Sequence, residues 1–178
     1  MSRTPARTSR TLATALSALA LAAAGLAVTA GTAHAATCSQ DYLPLPDPGC
    51  QPGALNPDVT QDTIGSTICV SGWTATVRPS SSYTTALKKK QIVEYGYDDT
   101  STSDYEEDHF VPLELGGAPK DALNLWPEPQ YGDKTAGNKD TVENRLKKAV
   151  CAGTVSLSDA QDAIITDWTT ALSTLGLS

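Results

Sequence analysis

Four cysteines set the tightest limit on the folds open to this chain of 178 residues. An even number of cysteines in an exported chain is typical of a disulfide framework. Of the three possible pairings, we expect Cys38 with Cys50, around a short Asp-Pro-Gly loop, and Cys69 with Cys151, across most of the domain. The alternative is a metal site. The chain has no Cys-x-x-C pair, and the oxidising compartment of an exported protein favours disulfides, so both observations disfavour metal binding by the cysteines.

The first 35 residues have the organisation of a secretory signal peptide. Three arginines precede an Ala/Leu-rich run over residues 12–30, and Ala33-His34-Ala35 offers the small residues that cleavage requires. We expect cleavage after Ala35 and a secreted, extracellular product that does not bind membranes. The alternative is a retained membrane anchor, because the apolar run is nearly long enough to span a bilayer.

Removal of this leader leaves an acidic chain with one histidine, His109. Ten Lys and Arg remain against twenty Asp and Glu, a formal charge of −10. This acidity disfavours a general polyanion binder, because phosphate neutralisation requires clustered cations. All ten cations lie between Arg78 and Lys148, where thirteen acidic residues accompany them. Any binding of nucleic acid should therefore be weak and strongly dependent on salt.

The pattern of apolar and turn-forming residues predicts a small α+β domain. Residues 36–57 are rich in Pro, Asp and Gly, which predicts an irregular arm held by its own disulfide, and residues 58–178 form the domain. The expected strands are Ile68–Val70, Trp73–Val77, Phe110–Leu115 and Leu123–Trp126. The expected helices are Tyr83–Tyr95, capped by Ser82, Asp140–Cys151, and a last one opened by a capping box at Ser158.

The pair Asp108-His109 carries the clearest chemical signal. A positioned neutral imidazole is the usual general base near pH 7, and an adjacent carboxylate is a natural ligand for a hard divalent cation. Successive residues of a strand point to opposite faces, so both side chains serve one site only where the strand bends or begins. The alternative is a solvated strand end beside an acidic loop.

Further residues follow this pair at set spacing. The chain reads D-H-x-x-P-L-x-x-G-G-x(6)-N-L from Asp108 to Leu125, with a predicted helix after it. This pattern resembles the HNH, or ββα-metal, nuclease superfamily, in which a two-stranded hairpin packs on one helix. The similarity is to small secreted bacterial members and covers roughly residues 56–168. It implies a disulfide-stapled α+β domain with a ββα-metal hairpin and helix at its centre.

The resemblance also implies roles for individual residues. Asp108 would bind a metal, His109 would act as the general base, and Asn124 would hold the loop and orient the histidine. A further ligand would come from the helix, where the candidates are Asn138, Asp140, Glu143 and Asn144. Of these, Asp140, Glu143 and Asn144 share one helical face. We expect one divalent cation, with Mg²⁺ as the first choice and Mn²⁺ or Zn²⁺ as alternatives.

These expectations describe a secreted, monomeric, metal-dependent nuclease that hydrolyses phosphodiester bonds of DNA or RNA. The expected phosphate contacts are Arg78, Lys139 and Arg145. The rival interpretation is a non-catalytic secreted binding or structural module that retains an HNH-like hairpin. An enzyme requires Asp108, His109 and an acid or amide of the helix to face one solvent-open pocket.

Overall fold

The computed structural model describes Met1 and residues 38–177, so the predicted leader and its cleavage site lie outside the described residues. Five helices are present there: α1 (Trp73–Val77), α2 (Ser81–Glu94), α3 (Ala136–Cys151), α4 (Leu157–Asp167) and α5 (Ala171–Thr174). An antiparallel hairpin joins β1 (Tyr105–His109) to β2 (Leu125–Pro129). Short 3₁₀ turns cover Ile64–Ser66 and Leu113–Leu115. The α+β class is confirmed.

Both predicted disulfides are present. Cys38 is bonded to Cys50, and Cys69 is bonded to Cys151. The backbone N–H of Cys38 donates to the carbonyl of Glu94, so the N-terminal arm is held against the end of α2. The longer disulfide joins the turn before α1 to the last residue of α3. Every cysteine is therefore paired, and none is left for a metal site.

The two strand predictions in the first half of the domain were wrong. Trp73–Val77 forms α1, and Ile68–Val70 is a turn. Branched side chains favour a strand only where a neighbouring strand offers hydrogen bonds. In the described part of the chain the sheet contains only β1 and β2. Without a partner, this segment satisfies its backbone locally, and the N–H of Arg78 donates to the carbonyl of Thr74.

The hairpin was predicted at the wrong positions. β1 precedes the predicted Phe110–Leu115 segment, and β2 runs beyond the predicted Leu123–Trp126 segment. The three acids at 106–108 concealed β1, because apolar alternation is the signal that identifies a strand. Next to the paired ends of the two strands, the backbone N–H of Phe110 donates to the carbonyl of Asn124. In an antiparallel ladder, hydrogen-bonded pairs alternate with non-bonded pairs, so this bond places Pro127 and Pro129 in non-bonded pairs. Their missing N–H groups therefore remove no hydrogen bond from the hairpin.

Three of the predicted helices are present, with earlier starts. α2 begins two residues before its predicted start. α3 begins at Ala136 rather than Asp140, because the Asn138 side chain accepts the backbone N–H of Thr135 and caps an additional turn. α4 follows Ser156, whose hydroxyl accepts a backbone N–H of the first turn, instead of starting at Ser158.

The apolar core lies between the hairpin and the helices. Trp126 of β2, Leu146 of α3 and Ile164 of α4 are each fully buried, and Trp168 at the end of α4 is nearly so. The indole N–H of Trp168 donates to the carbonyl of Pro44, which ties the arm to this core. None of the described helices combines the length and apolar character that crossing a bilayer requires.

Candidate active site

A polar cleft of about 230 Å³ opens where the end of β1 meets α3 and the second 3₁₀ turn. Because the strand ends at His109, the side chains of Asp108 and His109 both reach this cleft, although they are successive residues. The cleft is lined by Arg78, Glu106, Asp108, His109, Pro112, Leu113, Glu114, Asp140 and Glu143. Five carboxylates therefore face one histidine and one arginine.

His109 is fixed in a single orientation. Only 4% of the residue is exposed, and its Nε2 lies 3.1 Å from the carbonyl oxygen of Pro119. A carbonyl only accepts hydrogen bonds, so Nε2 carries the proton and Nδ1 keeps its lone pair. Burial lowers the pKa of the imidazole. The ring is therefore neutral near pH 7 and can accept a proton at Nδ1.

Asn124 holds the loop that follows β1. Its Oδ1 accepts the backbone N–H of Val111 at 2.8 Å, and its Nδ2 donates to the carbonyl of Val111 at 2.9 Å. A Cβ at Gly117 would lie 1.7 Å from that same carbonyl oxygen, so only glycine lets the two segments pass this closely. The described contacts of Asn124 are with the loop backbone rather than with the imidazole. It therefore positions the loop and does not touch the base.

Lys139 of α3 lies at the junction between the hairpin and the helix. Its Nζ donates to Asp108 Oδ2 at 2.6 Å, to Glu143 Oε1 at 2.5 Å and to the carbonyl of His109 at 2.8 Å. Glu128 Oε2 of β2 lies 4.0 Å from the same nitrogen. The lysine side chain is 0% exposed. We call Asp108, Glu128, Lys139 and Glu143 the Lys139 cluster.

The charges of the Lys139 cluster are set by burial and by the single ammonium. Burial alone would raise the pKa of Asp108, but the Lys139 ammonium, which also donates a hydrogen bond to this carboxylate, outweighs burial and lowers that pKa. Burial raises the pKa of Glu128 well above its ordinary range and also raises that of Glu143. Burial alone would lower the pKa of Lys139, but Asp108 and Glu143 reverse the effect and raise it. The ammonium and the Asp108 carboxylate are therefore the stable ionic pair.

Of the predicted metal ligands, Asp108 and Glu143 come together, but the Lys139 ammonium occupies the position between them. Asp108 and Glu143 are bonded to Lys139, and the Nδ2 of Asn144 donates to the backbone carbonyl of Asp140 on its own helix. Asp140 is exposed and lines the cleft. Across residues 38–177, no group of three or more His, Cys, Asp or Glu side chains is arranged to hold a metal ion.

The three predicted phosphate contacts occupy different environments. Arg78 is exposed and lines the cleft. Lys139 is fully buried and reaches no solvent. Arg145 is exposed on α3, and its guanidinium donates to the carbonyl of Leu177. Of the three, Arg78 alone is available to a phosphate in the cleft.

Sequence reasoning missed the acids that complete the site. Glu106 and Glu114 line the cleft, and Glu128 completes the Lys139 cluster from β2. The i, i+4 spacing of Lys139 and Glu143 indicates a pair on one helical face. Nothing in that spacing indicates burial, because an exposed helix surface shows the same pattern.

Glu107 is a second buried acid of β1, outside the cleft. Both of its carboxylate oxygens are buried without a hydrogen-bond partner. Burial raises its pKa to about 8, and the nearby Lys88 only partly offsets the effect. In the unfolded chain the group titrates near its ordinary pKa of 4.5. Folding therefore takes up a proton at Glu107 between these two values, and stability falls as pH rises through that window.

Glu107→Gln should remove this pH dependence. A neutral amide can be buried at high pH without taking up a proton. One pKa unit corresponds to about 1.4 kcal/mol, and partial solvation reduces the effect. We therefore expect the variant to be about 1–3 kcal/mol more stable than wild type at about pH 9. Urea unfolding at about pH 5 and about pH 9 measures the difference. Asp62→Asn, at an exposed carboxylate, is the control. An equal gain in both variants, or none, contradicts the assignment to Glu107.

No protein-family model, no curated protein and no solved structure matches this chain.

Proposed function

We propose that this protein is a secreted phosphodiester hydrolase that acts on nucleic acid, with His109 as the general base. The observation that carries the proposal is the fixed imidazole of His109, which donates from Nε2 to Pro119, keeps the lone pair of Nδ1 and lines a solvent-open cleft. The D-H-x-x-P-L motif and the β1, β2 and α3 order, which resemble an HNH core, support it. The two disulfides are compatible with an extracellular protein.

The chain's own residues supply the proton transfers of hydrolysis. Water attacks phosphorus as Nδ1 of His109 takes its proton, a new P–O bond forms, and the ester P–O bond breaks. The departing oxygen takes a proton from the carboxyl of Glu106, which lines the cleft and whose pKa is raised by burial. Arg78 offers a guanidinium that fits phosphate oxygens in bidentate fashion.

The predicted divalent metal does not fit the predicted ligand set. Lys139 already engages Asp108 and Glu143, while Asn144 bonds to its own helix. Both proton transfers are therefore assigned to residues of the chain. Metal dependence stays a prediction of the resemblance to HNH nucleases. A cation that arrives with the substrate would bind the cleft acids that Lys139 does not engage, which are Glu106, Glu114 and Asp140.

The proposal is tested by incubating the purified protein with supercoiled plasmid and with single-stranded RNA. Parallel reactions contain EDTA, Mg²⁺, Mn²⁺, Ca²⁺ or Zn²⁺, at low and high salt. We expect nicked plasmid or shortened RNA. The rate should fall as salt rises, because salt screens the attraction between Arg78 and the phosphates. Intact substrate under every condition contradicts the proposal.

The second candidate is the non-catalytic secreted binding or structural module. The fully buried Lys139, which engages two expected metal ligands, is the observation that favours it. The two candidates differ in turnover. A module that binds nucleic acid in a gel-shift assay without cleaving it, and whose binding survives His109→Ala, supports the second candidate.

A further inference from the structure

We propose that the ammonium of Lys139 is the resident cation of the junction between hairpin and helix, and that it takes the place of a divalent metal between Asp108 and Glu143. The inference concerns the site of the proposed hydrolase but does not depend on its activity. It replaces the expected metal at this position with a group of the chain itself.

The hydrogen bonds of Lys139 are saturated. An ammonium has three N–H donors, and three oxygens accept them: Asp108 Oδ2 at 2.6 Å, Glu143 Oε1 at 2.5 Å and the His109 carbonyl at 2.8 Å. Two carboxylates and one carbonyl are also the oxygen donors that a hard divalent cation prefers. The cluster thus has a cation's ligands, and the cation is already in place.

A second cation has no room at this position. Mg²⁺ requires its oxygens at about 2.0–2.1 Å and keeps several waters. The Lys139 side chain is 0% exposed, and Glu128 and Glu143 are 1% and 7% exposed. A divalent ion bound to the same carboxylate oxygens would lie against the ammonium in a medium that screens charge poorly. Metal binding between Asp108 and Glu143 therefore requires removal of Lys139.

The Lys139 ammonium also fixes the position of Asp108 and His109 relative to α3. Lys139 bonds to the carbonyl of His109 and to the carboxylate of the residue before it, so it holds the end of β1 against α3. A metal would perform the same bridging only while bound. Because Lys139 belongs to the chain, the junction is formed at any metal concentration. Removing it strips the Asp108 carboxylate of its cation beside the buried Glu128 and Glu143, and loss of one partner of a buried ion pair is strongly destabilising.

The test compares thermal unfolding of wild type, Lys139→Met and Lys148→Met, each after dialysis against EDTA and then with millimolar MgCl₂ or MnCl₂. Lys148 is exposed on the same helix and is the matched control. We expect the wild-type and Lys148→Met midpoints to be unaffected by EDTA or either metal. Lys139→Met should unfold at a lower temperature, and MnCl₂ should raise its midpoint, since a divalent ion that binds only the folded state stabilises it.

Two further variants keep the proposal open to contradiction where Lys139→Met does not fold. Lys139→Met/Glu143→Gln removes one acid together with the cation and should be more stable than Lys139→Met. If the double variant is no more stable, charge compensation is not the role of Lys139. A wild-type midpoint that rises with MnCl₂ or falls with EDTA, and loses this response in Asp108→Asn, overturns the proposal. No substrate is present, so this outcome is independent of whether the protein cleaves nucleic acid.

Discussion

His109→Ala is expected to lower the rate of phosphodiester cleavage by about 10²- to 10⁴-fold, the usual loss when a general base is removed. No second imidazole is available in the chain after residue 35, because His34 is the only other histidine. His109 also lines the cleft with a lone pair at Nδ1, fixed by the bond from Nε2 to Pro119. The loss should therefore appear in kcat, with a smaller change in KM, because phosphate contacts lie with Arg78.

A structural effect of the same substitution must be separated from the chemical one. Truncation leaves the Pro119 carbonyl without its donor, which costs about 1–3 kcal/mol of stability. Two readouts distinguish the roles: the thermal midpoint shows that the variant is folded at the assay temperature, and added free imidazole restores cleavage only where a missing base is the defect. A folded His109→Ala protein with wild-type activity would exclude His109 as the base.

The features predicted correctly from the sequence are those with local signals. Cysteine number and spacing indicated both disulfides, and apolar periodicity indicated α2, α3 and α4. The predicted caps Ser82 and Ser158 were wrong, because Ser80 and Ser156 cap α2 and α4. The hairpin was located less well, because its first strand consists largely of acids and its second contains two prolines. Both strands are stabilised by each other and by the core, and that context is absent from any short window of sequence.

The Lys139 cluster shows why the site could be predicted only in part. Asp108 and His109 were chosen as candidates because their residue types are suited to metal binding and acid–base chemistry, and both line the cleft. Lys139 was interpreted as a phosphate contact, since a lysine on a polar helix is normally solvated. Its burial depends on a pairing with Asp108 across 31 residues of sequence. A contact of that range follows from the docking of α3 on the hairpin, which local patterns do not specify.

Loss of the Cys69–Cys151 disulfide is expected to be the largest change in stability. The bond closes a loop with a sequence separation of 82. The loop-entropy model assigns about 4.5 kcal/mol to a loop of this size, because the bond restricts the unfolded chain. Cys69→Ser/Cys151→Ser should therefore shift the urea midpoint strongly, and the free energy of unfolding measures the loss. The bond also ties the turn before α1 to the end of α3, so the variant tests whether α3 docks without it.

The matched control is the shorter disulfide. Cys38–Cys50 has a sequence separation of 12, for which the same model gives about 3 kcal/mol. Cys38→Ser/Cys50→Ser should therefore cost less, and its effect should be confined to the arm and the end of α2. Hydrogen exchange distinguishes the two variants: loss of Cys69–Cys151 should reduce protection throughout α3, and loss of Cys38–Cys50 should not. If the two double variants are equally destabilised, loop size does not control the contribution of these bonds, and native contacts around the sulfurs do.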